Sequence, residues 1–242
     1  MSELDSILYR DGDTALTGRI ARPAGTPRAA ILIFPTIANI NAPVERRAQM
    51  LAAMGFVAFV ADLYGFVPDS FEAAQAPAAT LRKTASGYRA RLRAALGCLS
   101  SLPGTQGLPI AAIGYCLGGQ AALELARDGA DIAAAVSFHG ILSTAQAAEP
   151  GAVKARLLVC HGDADPLVPR EQVVSFWEEM DHAGANWHFH SYSGVRHGFT
   201  DPGSDARGLA AIAYNACADR QSWAAMTGLF AELFGDTAGP ST

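Results

Sequence analysis

A cysteine stands at the centre of the segment Gly114-Tyr115-Cys116-Leu117-Gly118. The segment follows the apolar run 110–113 and precedes an alanine- and leucine-rich stretch, so it predicts a strand, a sharp turn and a helix. The two glycines permit a tight turn and close packing of helix and strand. A thiol at that turn would stand at a helix N-terminus, where the dipole and free amide N–H groups stabilise a thiolate. The pattern predicts that Cys116 is a nucleophile; the alternative is a buried, inert cysteine.

A nucleophile of this kind needs a base, and the base needs a carboxylate that orients it. Asp163 and Asp165 follow the apolar run 157–160, and His197 follows the run 186–192. Because active sites of open α/β sheets lie at the carboxyl ends of the strands, these groups are expected to meet the thiol there. Asp165 is the preferred acid because it lies further from its strand, where the loop can bring it toward His197. Asp163 remains the alternative.

The remaining histidines have structural interpretations. His139 and His161 each end a strand before a glycine and are expected to satisfy loop backbone groups. The other three are expected to be structural or exposed: His182, His188 and His190.

A thiol that attacks a carbonyl also needs two backbone donors for the oxyanion. The N–H of Leu117, the residue after the cysteine, is expected to be one of them. The loop after the apolar run 29–34 is expected to supply the other, at Ile37. The alternative interpretation of residues 35–41 is a simple crossover loop.

The elements that position these groups alternate between strand and helix. Strands are predicted at 6–10, 15–22, 29–34, 56–61, 110–113, 132–138, 157–161 and 186–192. Helices are predicted at 43–54, 84–101, 117–128, 171–183 and from about 206 to 234, with an irregular excursion at 65–80. This order predicts an α/β fold with a mostly parallel sheet and helices on both faces. One domain over 1–242 is expected, with a frayed tail at 236–242.

Composition excludes several classes of function. With 242 residues, half of them hydrophobic, the chain can bury a substantial core. A net charge of −5 without a basic run argues against nucleic-acid binding. No apolar run approaches the roughly 18 residues of a membrane span, and the first five residues lack the pattern of a secretory signal. Four scattered cysteines argue against zinc or a disulfide framework, so a cytoplasmic location is expected.

With the elbow, the acid and the histidine in place, the chain resembles the dienelactone hydrolase family of α/β-hydrolases over nearly its whole length. The most specific segments are Gly114-Tyr115-Cys116-Leu117-Gly118-Gly119, Asp62-Leu63-Tyr64, Asp165-Pro166-Leu167-Val168-Pro169 and His197-Gly198-Phe199. The resemblance implies an α/β-hydrolase fold and a triad of Cys116, Asp165 and His197. It also implies hydrolysis of lactones or small esters through an acyl-cysteine, without a metal or organic cofactor.

Two positions depart from that family. Its well-understood members carry a glutamate that helps to ionise the thiol, and the matching position here is Thr36. Glu45, on the following predicted helix, is not expected to reach the site. Four residues after the histidine, where the family has an arginine for a substrate carboxylate, this chain has Asp201. The resemblance therefore implies the reaction class rather than dienelactone itself. Three arginines remain as possible anion partners: Arg82, Arg89 and Arg196.

The substrate is expected to be a small-molecule ester or lactone, with neither nucleic acid nor membrane as a partner, and the chain to be a monomer or homodimer. Candidate substrate-binding residues lie on the loops after the strands: Thr36, Tyr64, Phe66, His139 and Phe199. Aromatic packing beneath those loops is the alternative interpretation. Two other functions stay open. One is an esterase or acyl hydrolase for a different substrate class, and the other is a catalytically silent thiol-signalling protein of the same fold.

Overall fold

The computed structural model of the chain describes residues 4–235, so the tail predicted to fray, 236–242, lies outside the described residues. Within that range eight strands are found: β1 Asp5–Asp11, β2 Thr14–Ala21, β3 Ala30–Phe34, β4 Val57–Val60, β5 Ile110–Tyr115, β6 Ala134–Phe138, β7 Arg156–Gly162 and β8 Trp187–Tyr192. The same range holds six α-helices: α1 Ala42–Ala53, α2 Phe71–Leu81, α3 Ala85–Ser101, α4 Leu117–Arg127, α5 Arg170–His182 and α6 Ala216–Phe234.

The strands form one sheet in the order β1-β2-β4-β3-β5-β6-β7-β8. The hairpin of β1 and β2 joins the sheet antiparallel to β4, and every later pair, from β4–β3 to β7–β8, is parallel. The predicted mostly parallel sheet is therefore confirmed. Its parallel strands direct their carboxyl ends, and the loops that follow them, to one edge.

Buried apolar residues cover both faces of the sheet. One face packs against α3, α4 and α5 through residues such as Leu92, Ala121 and Phe176. The other packs against α1 and α6 through residues such as Leu51 and Phe230. Strands covered on both faces read as continuous apolar runs, which is why the central strands were recognisable from sequence.

The irregular excursion predicted at 65–80 is wrong in its second half, where α2 runs from Phe71 to Leu81. The side chain of Ser70 caps this helix by accepting the N–H of Ala73. Alanines, the best helix formers, fill much of the helix and outweigh Pro77 inside it.

The last helix begins ten residues later than predicted. Residues Asp205–Arg207 form a single 3₁₀ turn, which ends at Gly208 with a φ of 63°. The helix α6 starts only after Asn215, whose side chain accepts the N–H groups of Cys217 and Ala218. Among residues 4–235, no helix is long and apolar enough to cross a bilayer.

Candidate active site

The turn between β5 and α4 holds Cys116 in a strained backbone conformation, with φ 55° and ψ −116°. The turn is too tight for side chains on its flanks. A Cβ at Gly114 would lie 1.8 Å from the carbonyl oxygen of Gly118, and one at Gly118 would lie 2.0 Å from that of Phe34. Cys116 as a whole is partly exposed and immediately precedes the first turn of α4. This arrangement is that of a nucleophile elbow.

Asp165 and His197 form a buried pair at the same edge of the sheet. Nδ1 of His197 lies 2.7 Å from Oδ2 of Asp165, and both residues are buried. The other oxygen of Asp165 accepts the N–H of Leu167 at 2.9 Å. Asp163 points elsewhere and binds Arg170 at the surface, 2.7 Å away. Of the two candidate acids, only Asp165 is therefore in a position to orient the histidine.

The thiol of Cys116 and the imidazole of His197 stabilise each other's charged forms. Burial raises the pKa of Cys116, but the charge of His197 and hydrogen bonding outweigh it and lower that pKa. Burial lowers the pKa of His197, but the Cys116 thiolate and the bond to Asp165 raise it to about 10. Nε2 of His197 is buried and has no hydrogen-bond partner among residues 4–235, which leaves it available to the thiol. The lowered pKa of the thiol and the raised pKa of the imidazole both favour a thiolate–imidazolium pair.

Both predicted oxyanion residues lie beside the sulfur. The backbone N–H groups of Leu117 and Ile37 are close enough to lower the pKa of Cys116. Each residue is also held through its carbonyl oxygen. The hydroxyl of Tyr88 donates to the carbonyl of Leu117, and that of Tyr64 donates to the carbonyl of Ile37, both at 3.2 Å. The two amides can donate to an oxygen next to the sulfur, and buried tyrosines fix their residues in place.

A cavity of about 620 Å³ opens above Cys116. Two of the predicted substrate-binding residues, Thr36 and His139, line it. Tyr64 and Phe199 do not. The hydroxyl of Tyr64 is turned to the backbone of the loop after β3, and Phe199 is fully buried beneath the site, its ring centroid 5.1 Å from that of His139. The packing of these two residues fits the alternative interpretation of aromatic packing beneath the loops, and a part in substrate binding stays a prediction. Phe66 is also outside the lining, exposed to solvent.

Six charged side chains line the cavity: Arg46, Arg47, Asp69, Arg82, Asp201 and Arg207. Two of these arginines are already neutralised, Arg47 by Asp219 and Arg207 by Asp201. Asp201 therefore serves an ion pair at the rim. Arg82 donates to the carbonyl of Ala78 at 3.2 Å and has no carboxylate partner among the described residues.

The other residues weighed as ionising or anion-binding groups lie away from the cavity. Glu45 contacts Arg19 at 3.8 Å, as expected of a residue that does not reach the thiol. Arg89 is buried against Glu124 at 3.0 Å, and Arg196 is exposed outside the cavity lining. Of the three arginines named as possible anion partners, only Arg82 faces the site.

The two histidines expected to satisfy loop backbone differ. His139 does so at the site itself, because its Nδ1 accepts the N–H of Cys116 at 3.1 Å. His161 does not, since both its ring nitrogens are buried without a hydrogen-bond partner among the described residues. Burial lowers the pKa of His161, so the ring stays neutral at pH 7. The three remaining histidines are exposed: His182, His188 and His190.

Sequence analysis missed Tyr88, the hydrogen bond of Tyr64 to Ile37, and the contact of His139 with the nucleophile's own amide. Tyr88 belongs to α3, far from the elbow along the chain, and only the packing of α3 on α4 brings it to Leu117. For His139 a signal existed. It ends a strand at the same edge as Cys116 and precedes a glycine, as a residue at a tight functional turn does.

Comparison with known proteins gives a family match and several similar structures. The model of the dienelactone hydrolase family matches residues 16–234. The solved structure named m3DLH is 37% identical, has a TM-score of 0.90 and covers 95% of this chain and 98% of its own. A dienelactone hydrolase-like promiscuous phosphotriesterase, P91 from metagenomic libraries, is 34% identical with a TM-score of 0.91, covering 97% of this chain and 100% of its own.

A probable 2-oxo-3-(5-oxofuran-2-ylidene)propanoate lactonase from Bradyrhizobium sp. is 27% identical over 199 residues, which is 77% of this chain and 80% of that protein. The structural matches confirm the expected α/β-hydrolase fold. Together the matches support a hydrolase.

Proposed function

The chain belongs to the dienelactone hydrolase family, and we propose that it hydrolyses lactones or small carboxylic esters through an acyl-cysteine intermediate. One observation carries the proposal. The thiol of Cys116 lies at the floor of a cavity beside His197. Nδ1 of His197 is bound to the buried carboxylate of Asp165 at 2.7 Å. Nucleophile, base and orienting acid are what acyl transfer requires.

Acylation starts from the thiolate–imidazolium pair. The sulfur of Cys116 attacks the carbonyl carbon, a C–S bond forms, and the carbonyl electrons move to oxygen. The N–H groups of Ile37 and Leu117 bind this oxyanion, worth about 3 kcal/mol for each donor in comparable sites. When the tetrahedral intermediate collapses, the C–O bond breaks and His197 gives its proton to the leaving alkoxide. In a lactone that alkoxide stays tethered to the acyl group.

Deacylation uses the histidine in its neutral form. His197 takes a proton from water as the water oxygen attacks the thioester carbonyl, and the same two amides hold the new oxyanion. Collapse breaks the C–S bond, releases the carboxylic acid and restores the thiolate beside the imidazolium. The chain and water supply every proton and electron pair of this cycle.

A second substrate class, phosphotriesters, is favoured by the similarity to P91, which is described as a promiscuous phosphotriesterase. The same thiolate would form an S–P bond and expel an aryloxide. We place it second, because lactone or ester cleavage needs only the two amide donors already beside the sulfur.

A panel of lactones, nitrophenyl esters and a diethyl nitrophenyl phosphate tests the proposal on wild type, Cys116→Ala and Cys116→Ser. We expect Cys116→Ala to lower kcat/KM for the best ester or lactone by about 10⁴-fold or more. Cys217→Ala, which removes an exposed cysteine outside the cavity lining, is the matched control and should keep wild-type rates. Unchanged turnover in Cys116→Ala would reject the mechanism. No turnover of any substrate, together with an unreactive Cys116, would favour the silent thiol protein.

A further inference from the structure

His139 is a buried, titratable side chain for which the proposed reaction has no use. It follows β6 directly, and its backbone φ is 42°, in the left-handed region that few residues with a side chain adopt. Cys116 also has a positive φ, 55°. Backbone strain of this kind persists only where surrounding structure maintains it, and it clusters at active sites. Two strained residues in direct contact therefore call for an explanation.

The contact between them fixes the tautomer of the His139 ring. Nδ1 accepts the backbone N–H of Cys116 at 3.1 Å, and Nε2 lies 2.8 Å from the hydroxyl oxygen of Thr200. Because a backbone amide can only donate, Nδ1 must carry a lone pair, so the proton sits on Nε2 and is donated to Thr200. The amide of Cys116 is shared with the carbonyl of Phe138 at 3.0 Å. The N–H of Cys116 is therefore shared between two acceptors, the carbonyl oxygen of Phe138 and Nδ1 of His139.

The ring of His139 also meets the ring of the proposed base. The centroids of His139 and His197 are 5.1 Å apart with an interplanar angle of 69°, an edge-to-face contact. Burial, and then the charges of His197, Arg207 and Arg47, lower the pKa of His139 well below its usual value. His139 thus keeps the Nδ1 lone pair while its neighbour carries the positive charge.

We propose that His139 is a positioning residue, whose Nδ1 lone pair anchors the amide of Cys116 and so holds the nucleophile in its strained conformation. The inference rests on the proposed function and adds to it a device for aiming the thiol. Fixing that amide fixes the peptide plane before Cys116. The directions of Sγ and of the Leu117 N–H are then set from this plane by the torsion angles of Cys116. Without His139, only the carbonyl of Phe138 holds this amide, so the elbow is held less firmly and the nucleophile and the oxyanion donor can shift together.

Three variants separate this role from general packing. His139→Asn keeps an acceptor near the place of Nδ1, and asparagine tolerates a positive φ. His139→Leu has similar size but no acceptor, and Thr200→Val removes only the partner of Nε2. We expect His139→Leu to lower the acylation rate on the order of 10²-fold, with KM changed less than about threefold, because small misplacements of reacting groups have effects of this size. His139→Asn should stay within about fivefold of wild type.

The exposed His190 provides the controls His190→Asn and His190→Leu, which should leave both constants unchanged. A wild-type acylation rate in His139→Leu, or equal decreases of that rate in the Asn and Leu variants, would overturn the anchoring role. If His139→Leu fails to fold, His139→Asn and Thr200→Val test the proposal. We then expect His139→Asn to keep its activity and Thr200→Val to lose less than tenfold. Activity in Cys116→Ala would instead reject the proposed function itself, so the two failures are distinguishable.

A direct measurement of the ring is ¹⁵N NMR of histidine-labelled wild-type protein between pH 5.5 and 9. We expect the Nδ1 signal of His139 to report an unprotonated nitrogen throughout this range. A protonated Nδ1 at pH 7 would contradict the inference, whatever the activities of the variants.

Discussion

The floor and the entrance of the cavity are built in different ways. We call four side chains the floor residues: Cys116, His139 and His197, which line the cavity, and Asp165, which lies behind His197. Three of them are at most 3% exposed, and the fourth is the thiol that must meet substrate. At the entrance, Phe71 and Leu167 are 38% and 46% exposed, and they line the cavity without covering it. The floor is fixed by buried polar groups, whereas these two entrance residues present exposed apolar surface.

The supporting elements differ in the same way. The elbow is packed so closely that its flanking glycines accept no side chain. The entrance helix α2 buries only Ala74 and Ala78. A reacting site must be held to within a fraction of an ångström, whereas a substrate entrance can vary without disturbing the chemistry. Changes at the floor should therefore alter rate, and changes at the entrance should alter substrate preference.

The largest expected effect comes from the buried acid. Asp165→Asn should lower kcat by on the order of 10³–10⁴-fold, because an amide cannot hold the His197 tautomer or support its positive charge. Asp163→Asn is the control, since Asp163 is bound to Arg170 at the surface, and it should change kcat less than about twofold. Steady-state rates on the best ester check both. The reverse ranking would reassign the acid.

The next effect concerns ionisation of the thiol. His197→Gln removes the charge that lowers the pKa of Cys116, while the burial that raises it remains. Alkylation of Cys116 by iodoacetamide at pH 7 should then slow at least about tenfold, as each pKa unit is tenfold in thiolate. His182→Gln, at an exposed histidine, should not change the rate. Equal alkylation profiles for wild type and His197→Gln would contradict the ion pair.

The same pair makes folding stability depend on pH in two directions. Because the pKa of Cys116 is lowered in the folded state, its contribution to the free energy of unfolding is lost as pH falls through that pKa. The pKa of His197 is raised to about 10, so its contribution is present at low pH and lost as pH rises through about 10. Between the pKa of Cys116 and that of His197, wild type should therefore have a higher free energy of unfolding in urea than Cys116→Ala. A constant difference between the two proteins from pH 4 to 11 would argue against the pair.

A smaller effect is expected one step further from the sulfur. Tyr88→Phe removes the hydroxyl that binds the carbonyl of Leu117, so the oxyanion donor is less firmly held. We expect kcat to fall several-fold, within the roughly tenfold range of one ordinary hydrogen bond. Tyr214→Phe, which removes a peripheral contact to Asp219 at 3.4 Å, is the control. A rise in KM with unchanged kcat would show that Tyr88 shapes the cavity and does not position the Leu117 N–H.

The smallest effect on chemistry is expected at the entrance. Phe71→Ser and Leu167→Ser should raise KM for long-chain nitrophenyl esters a few-fold, because each removes apolar contact with the chain. They should leave alkylation of Cys116 unchanged. Leu8→Ser, at a residue 80% exposed and outside the cavity lining, should affect neither. Slower alkylation of Cys116 in the entrance variants would show that the entrance also affects the reactivity of the thiol, against the separation of floor and entrance.

The floor was more predictable from sequence than the entrance, and the reason is physical. Cys116, Asp165 and His197 each follow a predicted strand, and parallel strands bring such positions to one edge. That reasoning needs no knowledge of side-chain packing. Their catalytic roles stay predictions, but the structure brings Asp165 to His197 at 2.7 Å.

Elements that depend on competing local preferences were harder to predict. In α2 the capping Ser70 and the alanines prevail over Pro77, and in α6 the cap at Asn215 rather than the helical pattern sets the start. The contacts of His139 and Tyr88 depend on which helices and loops pack together. No local pattern encodes that packing.

The central claim is that Cys116 carries the acyl group, and rapid-quench mass spectrometry tests it most directly. Wild-type protein mixed with a nitrophenyl ester should gain the mass of one acyl group within the first turnover, and peptide mapping should place it on Cys116. The added mass should decay at the rate of steady-state turnover or faster. Turnover without any adduct, or an adduct on another residue with Cys116→Ala still active, would contradict the account.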